Sequence, residues 1–159
     1  MSLDGYVAGP NGEADWIVMD PEIDFMALMA RFDTVLMGRR TYEMSRGQGG
    51  GSMPGVRSFV ASRTLKPADH PDVTVLGDGL GEALSRLKAE PGKDIWLFGG
   101  GSLFRSLLEL RQVDAVEVAV IPVLLGGGVP LLPPPAGRAK LRLTGSRTYK
   151  ATGTVSLEY

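Results

Sequence analysis

The chain has 159 residues, 43% of them hydrophobic and 22% charged, with a formal net charge of −1. That is the make-up of one ordinary globular domain, here 1–159, able to bury a sizeable core, and it argues against non-specific nucleic-acid binding. No apolar stretch is long enough to span a bilayer, no basic-then-apolar leader opens the chain, and with no cysteine there are no disulfides, thiolate metal sites or cysteine nucleophile. The expected setting is the cytoplasm, without membrane, nucleic-acid partner or bound metal. Charge is unevenly spread. The first thirty residues hold Asp4, Glu13, Asp15, Asp20, Glu22 and Asp24 and no Lys or Arg, whereas Arg39, Arg40, Arg46, Arg57, Arg63 and Lys66 face only Glu43. A basic patch beside an acidic one suits a phosphorylated cofactor next to a polar substrate, although solvated faces give the same pattern.

Along the chain, apolar runs alternate with helical patterns, the signature of an α/β sheet. Asp20-Pro21 reads as a helix cap and start, with an amphipathic helix over Ile23 to Phe32. Thr34 to Met37 reads as a buried strand, and Arg40 to Met44 opens a helix. Gly47 to Gly51 with Ser52 and Pro54 reads as a flexible connection. Arg57 to Ala61 and Val73 to Leu76 are the next strands, and Glu82 to Lys88 is a helix ended by Pro91-Gly92. Asp94 to Phe98 reads as a central strand running into Gly99-Gly100-Gly101, with Ser102 capping a helix over Leu103 to Leu110. Ala115 to Ile121 is a buried strand stopped by Pro122; after Gly126-Gly127-Gly128 and Pro133-Pro134-Pro135, Leu141 to Leu143 and Thr154 to Leu157 read as hairpin strands turning near Ala151 to Gly153.

The 22 glycines cluster after strands. Neither Gly77-Asp78-Gly79-Leu80-Gly81 nor Gly99-Gly100-Gly101-Ser102 completes the G-x-G-x-x-G fingerprint, and no segment is a P-loop. A glycine turn that leads from a strand into a helix still offers backbone N–H groups and a positive helix end to a phosphate. On the residues alone it reads either as such a site or as a tight connection without a ligand.

Four stretches together resemble the dihydrofolate-reductase-like family, in its RibD C-terminal domain branch. They are Ser2-Leu3-Asp4-Gly5-Tyr6-Val7-Ala8, Met37-Gly38-Arg39-Arg40-Thr41-Tyr42-Glu43, Phe98-Gly99-Gly100-Gly101-Ser102-Leu103-Phe104 and Val120-Ile121-Pro122-Val123-Leu124-Leu125-Gly126-Gly127-Gly128. They occur in the family's order across almost the whole chain. The resemblance implies a three-layer αβα fold, its central sheet mostly parallel with an antiparallel C-terminal hairpin. It implies a strained or cis peptide near Gly99-Gly100 and a homodimer, the latter weakly supported by the apolar run Val129 to Leu132. Members usually carry a hydrophobic strand just before the Ser2 motif, whereas this chain begins at Met1 inside the pattern. Either a strand precedes Met1, the sheet is completed differently, or the protein is unusual.

The resemblance further implies NADPH as cofactor, held by Val7, Ala8, Gly38, Arg39, Arg40, Thr41, Ser62, Arg63, Gly99, Gly100, Gly101, Ser102 and Leu103. Its pyrophosphate would lie between the helices starting at Arg39-Arg40-Thr41 and at Ser102, and its 2′-phosphate at Ser62 and Arg63. Val7 and Ala8 would approach the nicotinamide, covered by the loop Gly9 to Trp16. On the substrate side a helix-borne carboxylate is implied. Asp24, four residues before Leu28, is preferred to Glu22 as the catalytic carboxylate that grips the acceptor, with no general acid evident and with Trp16, Glu22 and Pro122 also lining the small-molecule site. The same acids also suit a helix N-terminus. His70, the only histidine, reads as a loop residue, and Trp16 and Trp96 read as cover and core. The expected activity is NADPH-dependent reduction of a small heterocycle, dihydrofolate-like or riboflavin-precursor pyrimidine-like. A non-catalytic NADPH- or nucleotide-binding protein on the same fold is the alternative, and a structural protein that retained only the fold is a third class.

Overall fold

The structure is a computed structural model and describes residues 1–47 and 55–159. In chain order the elements are β1 (Tyr6–Ala8), α1 (Phe25–Met29), β2 (Phe32–Gly38), α2 (Arg39–Gly47), β3 (Arg57–Ala61), a 3-10 turn (Pro67–Asp69), β4 (Thr74–Leu76) and α3 (Leu80–Ala89). They continue as β5 (Asp94–Gly99), α4 (Gly101–Glu109), β6 (Glu117–Val120), β7 (Val129–Pro130), β8 (Gly145–Tyr149) and β9 (Thr154–Glu158). The chain divides into two compact units, one of residues 25–112 and one of residues 1–24 with 113–159. The glycine-rich connection expected after Gly47 lies outside the described residues.

The unit of residues 25–112 is built on a four-stranded parallel sheet in the order β4-β3-β2-β5. β2 is buried at four successive positions, Thr34 to Met37, as a strand covered on both faces requires. Val35, Met37 and Val60 form a buried cluster with Tyr42 of α2, and Val56, Leu65, Val73 and Trp96 pack against it. Leu103 and Leu107 are buried four residues apart on one side of α4, as are Leu84 and Leu87 three apart on α3. Burying each such side chain contributes about 1.5–3 kcal/mol.

The other unit holds two antiparallel arrangements, β1 with β7 and the order β6-β9-β8. Ser2 forms an isolated parallel bridge with Ile121, and Leu3 donates its amide to Val123 O at 2.8 Å. This is the expected mixed α/β class, a parallel sheet together with an antiparallel C-terminal hairpin.

Three local expectations are corrected. The helix read over Ile23 to Phe32 is only Phe25–Met29, because Phe32 opens β2, pairs with Asp94 and stacks on Trp96 at 5.5 Å. The C-terminal hairpin is β8 with β9, and Leu141 to Leu143 lie outside it. Its register puts Gly145 opposite Glu158, where a methyl group on Gly145 would come within 2.7 Å of the Glu158 carboxylate. Asp20 caps no α-helix. It is buried, accepts the Glu22 amide at 2.9 Å, and accepts the amide and hydroxyl of Thr152 at 3.0 and 2.9 Å. These bonds, the Glu22 amide foremost, outweigh burial and hold its carboxyl below the usual range.

Candidate functional site

Parallel strands in register bring their carboxyl ends together. Gly38 pairs with Ala61 and Met37 with Gly99, while Leu76 pairs with Ala61. The first turn of α2, the Ser62-Arg63 turn and the glycine turn therefore leave one edge of the sheet side by side. This is the position where open α/β sheets bind ligands.

At Gly99 the chain takes φ +151°, and the Gly99–Gly100 peptide is cis, as the resemblance implies. α4 follows immediately, with Gly100 as its cap residue. Ser102, expected as the cap, instead lies within the first turn, so no side chain closes this end of the helix. The first N–H groups of α4 stay available to an acceptor. Thr41 packs against the turn: a methyl group on Gly99 would stand 3.3 Å from Thr41 Oγ1, and one on Gly100 3.4 Å. At Gly38 a methyl would meet Gly99 O and Leu103 Cβ, each at 3.9 Å. Gly38, Thr41, Gly99, Gly100, Gly101, Ser102 and Leu103 thus share one neighbourhood.

Two arginines edge it. Arg39 pairs with Glu43 at 3.7 Å, one turn along α2. Arg40 and Arg63 are exposed and carry no ion pair among the described residues, which leaves two guanidinium forks for an anion. Ser62 also has a local part to play. Its hydroxyl accepts the Thr64 and Leu65 amides at 3.2 and 3.1 Å, shaping the turn that carries Arg63.

The remaining expected residues lie in the other unit. Val7 and Ala8 belong to β1, and a methyl group on Gly128 would stand 2.2 Å from Ala8 O. The Gly9 to Trp16 loop is tied by Glu13, which accepts the Gly9 amide at 2.8 Å and the Trp16 indole at 3.3 Å through its backbone carbonyl, and the Asn11 amide at 2.8 Å through its carboxylate. Glu22 forms an ion pair with Arg147 at 3.3 Å. Asp24 is exposed and precedes the first residue of α1, and Pro122 is exposed beside Gly153.

Two residues escaped the sequence reading. Asp4, seen only as a motif letter, accepts the Ser2 hydroxyl at 2.7 Å and the amides of Leu125 and Gly126 at 3.1 and 2.8 Å. Those bonds, the Ser2 hydroxyl foremost, depress its pKa against the opposing effect of burial. It therefore fastens one family motif to another. His70 contacts buried Tyr42 across a loop. The only hint of either was charge or aromaticity beside glycine and proline.

A parallel α/β sheet with a glycine turn, an uncapped helix start and exposed arginines at its carboxyl edge places the chain among the mixed α/β domains. The chain belongs to the RibD C-terminal domain family, which it matches over residues 1–155. It is 33% identical to the uncharacterized protein YyaP of Bacillus subtilis (strain 168), over 100% of this chain and 90% of that protein. Its fold is similar to that of a putative riboflavin biosynthesis protein from Shewanella sp. PV-4, with a TM-score of 0.83, 27% identity, and coverage of 100% of this chain and 93% of that one. It is also similar, at a TM-score of 0.70 and 18% identity, to a diaminohydroxyphosphoribosylaminopyrimidine deaminase/5-amino-6-(5-phosphoribosylamino)uracil reductase of Thermotoga maritima. That likeness covers 99% of this chain and 53% of the other. Among the described residues no helix is long and apolar enough to cross a membrane.

Proposed function

We propose that the protein is an NADPH-dependent reductase that delivers hydride to a small heterocyclic acceptor, dihydrofolate-like or riboflavin-precursor pyrimidine-like. The carrying observation is the uncapped glycine turn packed on Thr41, at the same sheet edge as Arg40 and Arg63. Membership of the RibD C-terminal domain family supports the reductase assignment, and the names of the Shewanella and Thermotoga proteins point to riboflavin-type pyrimidines.

The donor set fits NADPH. Backbone N–H groups of α4, the Thr41 hydroxyl and Arg40 suit a pyrophosphate, and Arg63 suits the 2′-phosphate that NADH lacks. When bound, NADPH supplies the hydride. Arg40, Thr41, Arg63 and the first N–H groups of α4 would bind and orient it, and the family resemblance would assign Val7 and Ala8 to the nicotinamide and Asp24, Trp16, Glu22 and Pro122 to the acceptor.

The test is cofactor binding with Arg63→Ala. One charge-assisted contact contributes about 1.5–3 kcal/mol, so the variant is expected to bind NADPH about 10- to 100-fold more weakly and NADH nearly unchanged. Equal wild-type affinity for the two dinucleotides at low salt overturns the 2′-phosphate assignment. Binding without loss of NADPH absorbance across folate, flavin and pyrimidine acceptors would instead favour a non-catalytic binding protein.

A further inference from the structure

Tyr42 has no solvent-exposed surface, yet its hydroxyl is the centre of a polar contact. Tyr42 Oη lies 3.1 Å from His70 Nδ1 and 3.4 Å from Asp72 Oδ1. The two rings meet edge to face with centroids 5.3 Å apart. One turn further along α2, Arg46 Nη1 reaches the same His70 Nδ1 at 3.2 Å. A guanidinium can only donate, so in this contact Nδ1 is the acceptor. Burial, with the Asp72 charge, raises the Tyr42 pKa, so the hydroxyl keeps its hydrogen. Two side chains of α2 thus grip one imidazole.

The imidazole belongs to a segment tied along its length by local hydrogen bonds. From Ser62 to Val73 the backbone is a succession of short turns. The Ser62 hydroxyl holds the Thr64 and Leu65 amides. Asp69 N donates to Lys66 O at 3.0 Å, His70 N to Pro67 O at 3.1 Å, and Val73 N to His70 O at 3.3 Å. Leu65 and Val73 pack on the cluster that contains Tyr42. Arg63 stands two residues before Leu65, within the same run of turns. At the other end of the grip, Tyr42 directly follows Thr41 and stands two residues after Arg40.

We propose that Tyr42 and His70 are positioning residues, a clip that holds the Ser62–Val73 segment against α2 and so sets Arg63 relative to Arg40 and Thr41. The inference rests on the cofactor reading above and deepens it. A dinucleotide carrying both a pyrophosphate and a 2′-phosphate needs two anion sites at a fixed separation, and the clip supplies that fixity. A ligand without the 2′-phosphate does not read the separation, so the clip bears on NADPH and hardly on NADH.

The test compares the wild type with Tyr42→Phe, His70→Ala and His70→Asn, measuring dissociation constants for NADPH and NADH and amide hydrogen exchange in the cofactor-free protein. Phe keeps the ring in the core, and Asn keeps an acceptor near the position of Nδ1. Losing one hydrogen bond of about 1 kcal/mol corresponds to roughly fivefold. Tyr42→Phe and His70→Ala are expected to lower the NADPH-over-NADH preference by about that factor, and to speed exchange at Thr64 and Leu65. His70→Asn is expected to keep the preference within about twofold of wild type. A wild type that prefers NADPH, with Tyr42→Phe and His70→Ala preferring it equally, overturns the clip alone. A wild type that binds neither dinucleotide overturns the functional reading, and this inference with it.

Discussion

Two runs of three glycines, residues 99–101 and 126–128, look alike in sequence and serve opposite purposes. The first comes after a parallel strand and leads straight into α4. Its glycines leave backbone donors uncovered, and its nearest neighbour is the movable hydroxyl of Thr41. The second run leads into the two-residue strand β7. Its first amide is bound by the Asp4 carboxylate, and Gly128, at φ +144°, lies so close to Ala8 O that any side chain would enter the backbone. In one run the absent side chains leave the start of a helix uncovered, in the other they make room for the chain itself. Two things decide between these fates: whether the run leads into a helix or a strand, and whether its amides already have acceptors.

Gly128→Ala would break the second half of that comparison most severely. The new methyl would stand 2.2 Å from Ala8 O, a backbone atom that cannot swing aside, and alanine strongly resists the φ of +144°. Overpacking of this kind costs about 1–3 kcal/mol before backbone strain is added. The variant is expected to lose at least that much in urea denaturation, or to accumulate unfolded. A midpoint equal to wild type would show that the run has slack. Gly127→Ala is the matched control, since its methyl would meet no atom within 4 Å.

Asp4→Ala tests the same run through its acceptor, with a smaller effect. The folded-state pKa of Asp4 is depressed. The ionised carboxylate therefore contributes stability that is present above its unfolded pKa and is lost as pH falls through the folded value. The melting-temperature gap between wild type and Asp4→Ala is expected to be widest at neutral pH and to close below about pH 4, the ordinary carboxylate range. A gap independent of pH would mean that the carboxylate's charge plays no part.

The two runs also mark how much could be read from sequence. β3 was legible to the residue as Arg57–Ala61, because a short apolar run bounded by turn residues has few other fates. The glycine turn and its arginines were legible as a motif, because each local letter agrees with the strand-to-helix geometry. The misread segments depend on distant partners. Asp20 was given to a helix start, but Thr152 claims its carboxylate. Phe32 fitted a helical pattern, but Asp94 and Trp96 draw it into the sheet. His70 looked idle in its Asp-His-Pro setting, since nothing local places Tyr42 beside it. Periodicity reports which face is apolar, and it cannot report which remote group satisfies a polar atom.

Thr41→Val is expected to have the smallest effect on the fold, and it separates the two runs most sharply. Valine matches threonine in shape, and the hydroxyl it removes forms no hydrogen bond that holds the turn; it stands 3.3 Å from the place where a Gly99 side chain would begin. Thr41 is half-buried rather than buried, so no stranded polar partner is left inside the protein and the denaturation midpoint should stay close to wild type. Ligand binding should respond. A hydroxyl donating to a phosphate oxygen makes a charge-assisted bond of about 1.5–3 kcal/mol, so NADPH affinity is expected to fall about tenfold or more. NADH should fall by a similar factor, because both dinucleotides carry the pyrophosphate, which distinguishes Thr41 from Arg63. If Thr41→Val lowers stability as Gly128→Ala does and leaves both affinities intact, the first run is also structural, and the difference between the two glycine runs disappears.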